Sequence, residues 1–467
     1  MTDVLLINPT YSNIIYKNAK IKVGVPVNPL LNLALLATPV IEAGYKVKIL
    51  DLNIGNDSDL FLKDEISKEN PRFVGITFTT PLYSEAKRLA EFIKGFKPNT
   101  ILIAGGAHAT TFPKEILKES AFDMVAVGEA DFTMRDLLTI KERRDIKGLV
   151  FKENGDIIDT GRGEYIDNLD NLPLPAWHLY DLRKYNRISL SNRESPPGYL
   201  ETSRGCPWRC VFCNKNIQGT KFRPKSPKRV VDEIEYMLKV GFKEINILDD
   251  TFSTDINRAK AICDEIVNRG LKFPWHPLNG IRVDCIDKEL FIKMKKGGCY
   301  KVSFGIESGN QNILDRIDKR IKLQQVRDAV RWASEVGFET FGYFMIGLPG
   351  ETAESIKDTI RFAKELKLDI AKFNITIPLP GTKLFEEWDK GGYIKTKEWG
   401  KYNFYSPYYE LYDHPTLSHE TITKYYRKAY HSFYFSPLYL LRRLIKSLRF
   451  RTFIRDFRLF LQTDWLS

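Results

Sequence analysis

The chain has little cysteine and no long apolar run. Its 467 residues include six cysteines, too few for the disulfide framework of a secreted protein, so we expect a reducing, cytoplasmic location. The sequence has no stretch of about 18 apolar residues, which argues against a membrane-spanning helix. The segment Met1–Pro9 lacks a basic region ahead of an apolar core and is typical of a first strand, not of a signal peptide.

Positive charge is concentrated at the C-terminal end. The net charge is +12, and residues 421–467 hold ten Lys and Arg residues against two Asp. The rest of the chain is therefore only weakly basic, and the excess needs a local explanation.

The first 135 residues alternate strand and helix patterns. Short apolar runs predict strands that are buried on both faces, and stretches such as Leu30–Ala43 and Ser84–Phe96 predict the intervening helices. The predicted strands are Val4–Asn8, Lys46–Leu50, Phe73–Phe78, Ile101–Ala104 and Met124–Val127. This pattern predicts an α/β domain with a doubly wound parallel sheet over residues 1–135.

The segments that follow these strands are candidates for ligand binding. Ligands of doubly wound sheets lie beyond the carboxyl ends of the strands. Glycines at two of these ends allow a large, flat ligand to approach the backbone. The candidate contacts are Gly105, Gly106 and His108 after the fourth strand, and Gly128 and Glu129 after the fifth.

A second series of strands and helices begins after a connector. Residues 136–198 contain a predicted hairpin with an Asn154-Gly155 turn, then a proline-rich, extended stretch. Over residues 199–385 six strands alternate with helices, which predicts a partial (β/α)6 barrel with catalytic residues at the strand carboxyl ends. The predicted strands are Tyr199–Ser203, Glu244–Leu248, Asn279–Val283, Lys301–Gly305, Thr340–Ile346 and Lys372–Ile377.

Three cysteines follow the first barrel strand at a tight spacing. Cys206, Cys210 and Cys213 are separated by three and then two residues. A zinc site usually takes four protein ligands, whereas three cysteines on a four-iron cluster leave one iron open to bind a substrate. Part of a zinc site, or buried apolar thiols, are the alternatives. The other cysteines are scattered singly and are expected to pack in the core. They are Cys263, Cys285 and Cys299.

The cysteine motif and its flanks resemble the radical S-adenosylmethionine (SAM) enzymes. The resemblance implies a [4Fe-4S] cluster on the three cysteines, which binds SAM and cleaves it to a 5′-deoxyadenosyl radical. It also implies a reductant protein of the flavodoxin or ferredoxin type. Acidic residues at strand ends are also favoured as helix caps, which we expect for Glu351. By this resemblance the SAM contacts are Asp249, Ser303, Glu307, Ser308 and Gly347.

The first domain resembles the cobalamin-binding domain fused to many radical SAM enzymes. The similarity covers nearly the whole domain and is carried by Gly105–Thr110, Val127–Ala130 and the helix Pro29–Gly44. Many such domains supply a histidine to cobalt after the first strand, but this chain has no histidine before His108. We therefore expect cobalamin without a protein imidazole below cobalt. His108 is expected to be an indirect contact or a solvent-exposed residue, and a vestigial or nucleotide-type domain is the alternative.

Together the two resemblances imply a cobalamin-dependent radical SAM enzyme. We expect it to methylate an unactivated carbon of a lipid or another small molecule, with the radical removing a hydrogen and methylcobalamin donating the methyl group. Ring formation or carbon–carbon coupling is the alternative within the family. A non-catalytic iron–sulfur sensor or electron carrier is the alternative outside it.

Residues 386–467 are predicted to be helical, basic and aromatic. Within Leu438–Leu448 the apolar residues form one helical stripe and the basic residues lie on the other side. Phe453, Phe457 and Phe460 continue an apolar stripe. Such helices suit an anionic membrane surface and a peripheral location. Packing on the barrel with an exposed basic face is the alternative, whereas a nucleic-acid partner is not expected.

Overall fold

The chain folds into an N-terminal sheet covered by helices, followed by a barrel of strands and helices. The computed structural model describes residues 2–11, 14–15, 27–55, 57–186 and 192–449. Buried apolar clusters fill both sides of the N-terminal sheet and the space between the barrel strands and their helices. The predicted α/β class is confirmed.

The N-terminal sheet has seven strands, and its first five are parallel. The elements in chain order are β1 Val4–Asn8, α1 Leu31–Glu42, β2 Val47–Asp51, α2 Asp59–Glu69, β3 Phe73–Thr77, α3 Tyr83–Phe96, β4 Ile101–Gly105, α4 Ala107–Thr111, α5 Pro113–Glu119, β5 Met124–Ala126, α6 Thr133–Thr139, β6 Leu149–Glu153 and β7 Asp156–Asp159. The strand order is β2-β1-β3-β4-β5-β6-β7. Strands β6 and β7 form an antiparallel hairpin that extends the sheet beyond β5.

The order of the strands places a crevice at one edge of this sheet. The chain leaves β1 for β2 on one side and returns to β3 on the other. At such a switch point the connecting loops diverge, and ligands bind beyond the strand carboxyl ends. The predicted doubly wound parallel sheet is confirmed in β1 to β5, with its crevice between the ends of β1 and β3. The predicted hairpin of the connector belongs to the same sheet as β6 and β7.

The barrel contains six parallel main strands. The elements in chain order are β8 Pro197–Leu200, β9 Ser203–Arg204, β10 Arg223–Pro224, α7 Pro227–Val240, β11 Glu244–Ile247, α8 Ile256–Asn268, β12 Trp275–Pro277, α9 Lys288–Lys296, β13 Lys301–Glu307, α10 Gln311–Arg316, α11 Leu323–Val336, β14 Glu339–Ile346, α12 Ala353–Glu365 and β15 Ile370–Ile375. Strands β8, β11 and β12 form one set, and β13, β14 and β15 form another. Isolated bridges such as Trp275 to Cys299 join the two sets, which gives the predicted partial barrel.

The third barrel strand lies earlier than the sequence predicts. The prediction of Asn279–Val283 is wrong, because the strand is Trp275–Pro277. Prolines at 274 and 277 argue against an interior strand, since proline has no N–H to donate. Here Pro274 contributes its carbonyl instead, which accepts a hydrogen bond from the Ile245 N–H at 3.2 Å.

Three further helices follow the barrel, and the second covers its open edge. They are α13 Lys383–Lys390, α14 His419–Tyr434 and α15 Pro437–Arg449. The Tyr434 hydroxyl accepts from the Ala371 N–H at 3.2 Å and donates to the Ala371 carbonyl at 2.9 Å. The Tyr430 hydroxyl likewise accepts from the Phe373 N–H at 3.2 Å and donates to the Phe373 carbonyl at 2.9 Å. Two phenols thus satisfy backbone groups that an edge strand otherwise leaves unpaired.

Helix α15 packs against the barrel through its basic side. Arg442 donates to the Leu368 carbonyl at 2.6 Å, and the Lys446 ammonium lies 2.6 Å from Asp369. Leu441, Leu444 and Ile445 are exposed instead, so the expectation that a packed helix would expose its basic face is wrong. Within the described ranges no helix is both long and apolar enough to cross a bilayer. The second stripe at Phe453, Phe457 and Phe460 lies outside the described residues.

Candidate active site

The three-cysteine loop lies at the carboxyl end of the barrel, directly after β9. Gly205 has a φ of 82°, and a Cβ there would lie 2.1 Å from the Lys221 carbonyl oxygen, so only glycine fits. The Val211 N–H donates to the Ile317 carbonyl at 3.2 Å, and the Val211 carbonyl accepts from Leu384 at 2.9 Å. These bonds fix the middle of the loop between α10 and α13.

The three thiols are neighbours in a cationic surrounding. Cys206 is buried, and Cys210 and Cys213 are half-buried. Burial raises the pKa of the Cys210 thiol, and the nearby cations Lys319 and Arg282 oppose that rise. Burial likewise raises the pKa of the Cys213 thiol, and Lys215 opposes that rise. Metal binds the thiolate form, which nearby cations favour. Among the described residues no three His, Cys, Asp or Glu side chains converge on one metal position.

Aromatic side chains of the loop hold two of these cations. The Arg282 guanidinium lies 4.2 Å from the centre of the Trp208 ring, and the Lys319 ammonium lies 5.9 Å from that of Phe212. Such contacts are attractive and orient the charged group. Neither cation could be found from the sequence, because Arg282 follows β12 and Lys319 follows α10, and only the fold of the barrel brings them to the cysteines.

The other cysteines occupy different surroundings. Burial raises the pKa of Cys263 to about 12, and Cys299 is fully buried with its sulfur 3.4 Å from the Lys301 carbonyl oxygen. Cys285 is half-buried beside Asp284 and lies within electrostatic range of Cys206. Two of the three cysteines are therefore core residues, as predicted, and Cys285 lies on the side of the three-cysteine loop.

Glu307 ends β13 in an ion pair near the cysteines. Its backbone has a φ of 66° at a bulge, and its carboxylate lies 2.8 Å from the Lys319 ammonium. Gly305 makes room for this pair, since a Cβ there would lie 2.8 Å from Glu307 Oε1 and 3.0 Å from Lys319 Nζ. Glu307 therefore stands at the barrel mouth, and its proposed contact to SAM has Lys319 as a neighbour.

Two other predicted SAM contacts bond mainly to protein. Asp249 is buried and accepts hydrogen bonds from the Thr202 N–H at 2.6 Å and from the Ser203 hydroxyl at 2.6 Å. It thereby fixes the backbone just ahead of the cysteine loop. The Ser308 hydroxyl lies 3.1 Å from the Thr359 hydroxyl of α12.

The remaining predicted SAM contacts lie on β13 and at the end of β14. Ser303 is buried and bonds to the Tyr343 hydroxyl. Gly347 has a φ of 85°, and its N–H donates to Glu351 at 2.7 Å. The expectation that Glu351 caps the next helix is wrong, because Thr352 caps α12 and Glu351 closes the preceding turn. Burial raises the pKa of Glu351 to about 8.

The carboxyl edge of the N-terminal sheet contains Gly105, Gly106 and His108. A Cβ on Gly105 would meet nothing within 4 Å, so this position is open to a ligand. Gly106 is required by the fold itself, since its φ is 103° and a Cβ would lie 2.5 Å from the Phe78 carbonyl oxygen. The Thr10 hydroxyl at the crevice is buried and has no hydrogen-bond partner among the described residues.

His108 lies inside a cage of aromatic rings and is not solvent-exposed. It is 1 % exposed, and its Nδ1 lies 3.3 Å from the Thr80 hydroxyl. Burial lowers its pKa to about 4. The expectation of a solvent-exposed loop histidine is wrong, because α4 turns the ring inward. The rings around it are those of Phe78, Tyr83, Phe112 and Trp399.

Gly128 and Glu129 lie where the first domain meets the barrel. Gly128 has a φ of 81° and turns the chain after β5. The Glu129 side chain is only 4% exposed, and it accepts from Arg223 at 2.9 Å and from the Ile166 N–H at 3.0 Å. Nearby, the Asp131 carboxylate accepts hydrogen bonds from both terminal nitrogens of Arg204, each at 2.8 Å. Glu129 thus joins the two domains, a role for which its sequence position gives no signal.

These ion pairs hold the cysteine loop against the N-terminal sheet. Arg204 in β9 precedes the loop and Arg223 in β10 follows it. Within the loop, Asn214 lies 3.4 Å from the Thr111 hydroxyl of α4. The thiols therefore lie beside the segment that follows Gly105.

The residues present fit the groups that the two domain types bind. Three thiols on one loop among cations suit an anionic iron–sulfur cluster, because each cysteine binds a different iron and the thiols need not converge on one metal position. An open glycine edge and an unpaired buried hydroxyl at the crevice suit a large cofactor such as cobalamin.

Comparison with known proteins identifies both domains. The family model described as "B12 binding domain" matches residues 21–138, and that described as "Radical SAM superfamily" matches residues 200–363.

Two relatives and one solved structure cover most of the chain. An uncharacterized methyltransferase of Pyrococcus horikoshii is 37% identical over 95% of this chain and 94% of its own length. The anaerobic magnesium-protoporphyrin IX monomethyl ester cyclase of Rubrivivax gelatinosus is 30% identical over 80% of this chain and 68% of its own. The cobalamin-dependent SAM radical enzyme OxsB, with aqua-cobalamin bound, superposes with a TM-score of 0.74 at 17% identity, over 94% of this chain and 67% of that chain. The chain belongs to the cobalamin-dependent radical SAM enzymes, whose cofactors are a [4Fe-4S] cluster, SAM and cobalamin.

Proposed function

We propose that this enzyme transfers a methyl group to an unactivated carbon of a small-molecule or lipid substrate. We assign the cluster to Cys206, Cys210 and Cys213. When bound, the cluster and SAM supply a hydrogen-abstracting radical, and cobalamin supplies the methyl group. The observation that carries the proposal is the position of the cysteine loop, which Arg204 and Arg223 hold against the carboxyl edge of the N-terminal sheet. A substrate between the two domains would be within reach of both cofactors.

The residues around the loop have supporting roles in this proposal. Lys215 lies near Cys206 and Cys213 and offsets part of the negative charge of the thiolates. Lys319 and Arg282 add to this near Cys210, although each is also paired with a carboxylate. Asp249 fixes the strand end ahead of Cys206 through its bonds to Thr202 and Ser203. The carboxylates of Glu129 and Asp131 in the first domain orient the cysteine loop through Arg223 and Arg204. The position of the cluster relative to cobalamin therefore depends on how the two domains pack together.

The test follows a labelled methyl group. Reconstituted, reduced enzyme is supplied with cobalamin and with SAM that carries a deuterated methyl group, and is incubated with metabolite and lipid extracts. We expect 5′-deoxyadenosine together with a product that gains a labelled methyl group, both by mass spectrometry. Cys206→Ala is the inactive control, because it removes one assigned cluster ligand.

The other reactions give different results in this assay. A cyclase, as in the Rubrivivax relative, would form 5′-deoxyadenosine and an altered substrate without label. A sensor or electron carrier would form no 5′-deoxyadenosine. We propose a flavodoxin- or ferredoxin-type protein as the electron donor in the cytoplasm, since the cluster must be reduced for each radical it generates.

We further propose that α15 docks on an anionic membrane surface. Its side chains Leu441 and Ile445 are 57% and 58% exposed. Burying a Leu or Ile side chain fully is worth roughly 1.5–3 kcal/mol. The neighbouring α14 exposes Lys424, Arg427 and Lys428, and each basic residue near an anionic surface adds about 1 kcal/mol. A lipid substrate would then be accessible to the barrel.

Exposed apolar residues on α15 and on α2 allow a test with a matched control. Leu441→Asn with Ile445→Asn should lower co-sedimentation with phosphatidylglycerol vesicles at least about tenfold, while Leu60→Asn, at a 69% exposed position on α2, should not. Arg442 and Lys446 are left unchanged because they attach the helix to the barrel. Equal vesicle binding by both variants would contradict the proposal, as would dimerisation or RNA binding that depends on the same two residues.

A further inference from the structure

One wall of the barrel interior is accessible to a ligand. Residues of β14 alternate strictly, with Phe341, Tyr343 and Met345 partly exposed and the residues between them buried. On β15, Lys372 is exposed between the buried Ala371 and Phe373. Phe373 packs on α14, at 5.4 Å between its ring and that of Tyr430. Because side chains alternate between the faces of a strand, Lys372 and Tyr343 face the interior.

Strand register places Lys372 close to the cysteine loop. Gly305, Tyr343 and Lys372 are register partners on three adjacent strands. Adjacent strands are about 4.8 Å apart, so Lys372 begins roughly 10 Å from Gly305. The Glu307–Lys319 ion pair lies directly over Gly305, and Lys319 is within electrostatic range of Cys210. The register partners Gly305, Tyr343 and Lys372 therefore form a row that runs from the barrel mouth to Lys372.

Lys372 carries an uncompensated charge in this interior. Lys319 is neutralised by Glu307 at 2.8 Å, but among the described residues no acidic side chain pairs with Lys372. Surrounding protein lowers the pKa of Lys372 by desolvation, although the side chain remains exposed. A charge that is partly desolvated is costly until a counter-ion binds.

We propose that Lys372 binds an anionic group of the substrate, a carboxylate or a phosphate, inside the barrel. The hydroxyl of Tyr343, its register neighbour, is a second polar group for the same ligand. Phe341 and Met345 line the wall along the strand and would contact apolar parts of the substrate. This inference rests on the proposed function and restricts its substrate to molecules with an anionic group.

Acetylation of lysines, measured by peptide mass spectrometry, tests the site in the full-length reconstituted protein. Phosphate and acetate are the probes, and glycerol is the neutral control. With a probe at about four times its dissociation constant, about one fifth of the sites stay free, so acetylation of Lys372 should slow about fivefold. Exposed Lys118 of α5 should react at an unchanged rate. Protection by phosphate alone indicates a phosphate group, protection by acetate alone a carboxylate, and protection by neither overturns the proposal.

SAM has a carboxylate of its own, so it is tested separately. Full protection of Lys372 by SAM alone would assign the lysine to SAM and overturn the proposal. In the labelled-methyl assay, Lys372→Arg keeps the charge and should retain more labelled product than Lys372→Met at equal iron content. The reverse order also overturns it. Failure of the proposed function would look different, with no labelled product from the wild type although phosphate or acetate still protects Lys372.

Discussion

Among single residues, Glu351 has the most unusual surroundings for a carboxyl group. One of its oxygens accepts two backbone N–H groups, and the other is buried without a partner among the described residues. Burial favours its neutral form and raises its pKa from 4.5 to about 8. A proton on the unpaired oxygen removes the cost of a buried charge.

Glu351→Gln should therefore change how stability depends on pH. Between about pH 4.5 and about pH 8 the folded wild type holds a proton that the unfolded chain has lost, so its free energy of unfolding falls as pH rises. The fall is on the order of 1.4 kcal/mol per pH unit. Gln cannot titrate, so the melting temperature of the variant should rise relative to wild type across this range. A constant difference between the two melting temperatures would contradict this.

The cysteine ligands are also tested one residue at a time. Replacing Cys206, Cys210 or Cys213 by Ala should lower iron well below the expected four per chain and abolish SAM cleavage. The control is Cys299→Ala, whose thiol is fully buried, and iron analysis after anaerobic reconstitution is the measurement. Equal iron loss in the control would show that the ligands are misassigned. Cys285→Ala should also retain iron, although Cys285 lies near Cys206.

Among the elements, the edge strand β15 depends most on a helix beside it. Its outward backbone groups bond to hydroxyls of Tyr430 and Tyr434 in α14. An unprotected strand edge would expose these groups to water or to another chain. The aromatic content of the C-terminal region therefore has a structural function beside any surface function of α15.

Tyr430→Phe and Tyr434→Phe should each destabilise the barrel edge. Each change leaves one backbone N–H and one carbonyl without a partner, at a cost of about 1 kcal/mol or more. Hydrogen exchange at Ala371 and Phe373 should accelerate, while Tyr409→Phe, at a residue that is 49% exposed, should have no effect. Unchanged exchange in the double variant would show that the hydroxyls do not protect the edge.

Across the whole molecule, buried ion pairs determine how the two domains meet. Arg223 is 1% exposed and Glu129 4% in their side chains, and Arg204 pairs with both Glu201 and Asp131. Removing one partner of a buried pair leaves the other charge uncompensated and typically costs 3–5 kcal/mol. The relative position of cysteine loop and N-terminal sheet therefore depends on these charges.

Glu129→Gln should lower the melting temperature and accelerate hydrogen exchange in both partner loops. Asp167→Asn is the matched control, because Asp167 pairs with Lys221 at a surface position that is 72% exposed, where a pair is worth about 0–1 kcal/mol. Labelled methyl transfer should fall more in Glu129→Gln than in the control. Similar effects of the two changes would mean that the buried pair does not orient the domains.

The form of bound cobalamin is a second prediction for the whole molecule. Because His108 is enclosed by four rings, we expect its imidazole not to reach cobalt. The EPR spectrum of the cobalt(II) form should lack nitrogen superhyperfine splitting from a protein histidine, and His108→Phe should not alter it. A splitting that disappears in His108→Phe would contradict this.

Local patterns account for what the sequence predicted correctly. The apolar runs of β1, β3, β4 and β5 are continuous because both faces of the sheet are covered there, and each run is no more than five residues long. The spacing of Cys206, Cys210 and Cys213 is also a pattern of residues that are close together in the chain. The prediction for β12 was wrong because the sequence shows two prolines but not which backbone groups the neighbouring strands use.

The sequence by itself determined the two domain types, the cysteine triplet and the basic C-terminal end, because each is written in residues a few positions apart. Only the tertiary structure decided which charges meet. Glu129 contacts Arg223 across 94 positions, and Asp131 contacts Arg204 across 73. It also decided that α15 turns its basic side inward, since Asp369 and the Leu368 carbonyl lie where Lys446 and Arg442 can reach them. Coulomb and hydrogen-bond energies depend on distance in space, which separation along the chain does not specify.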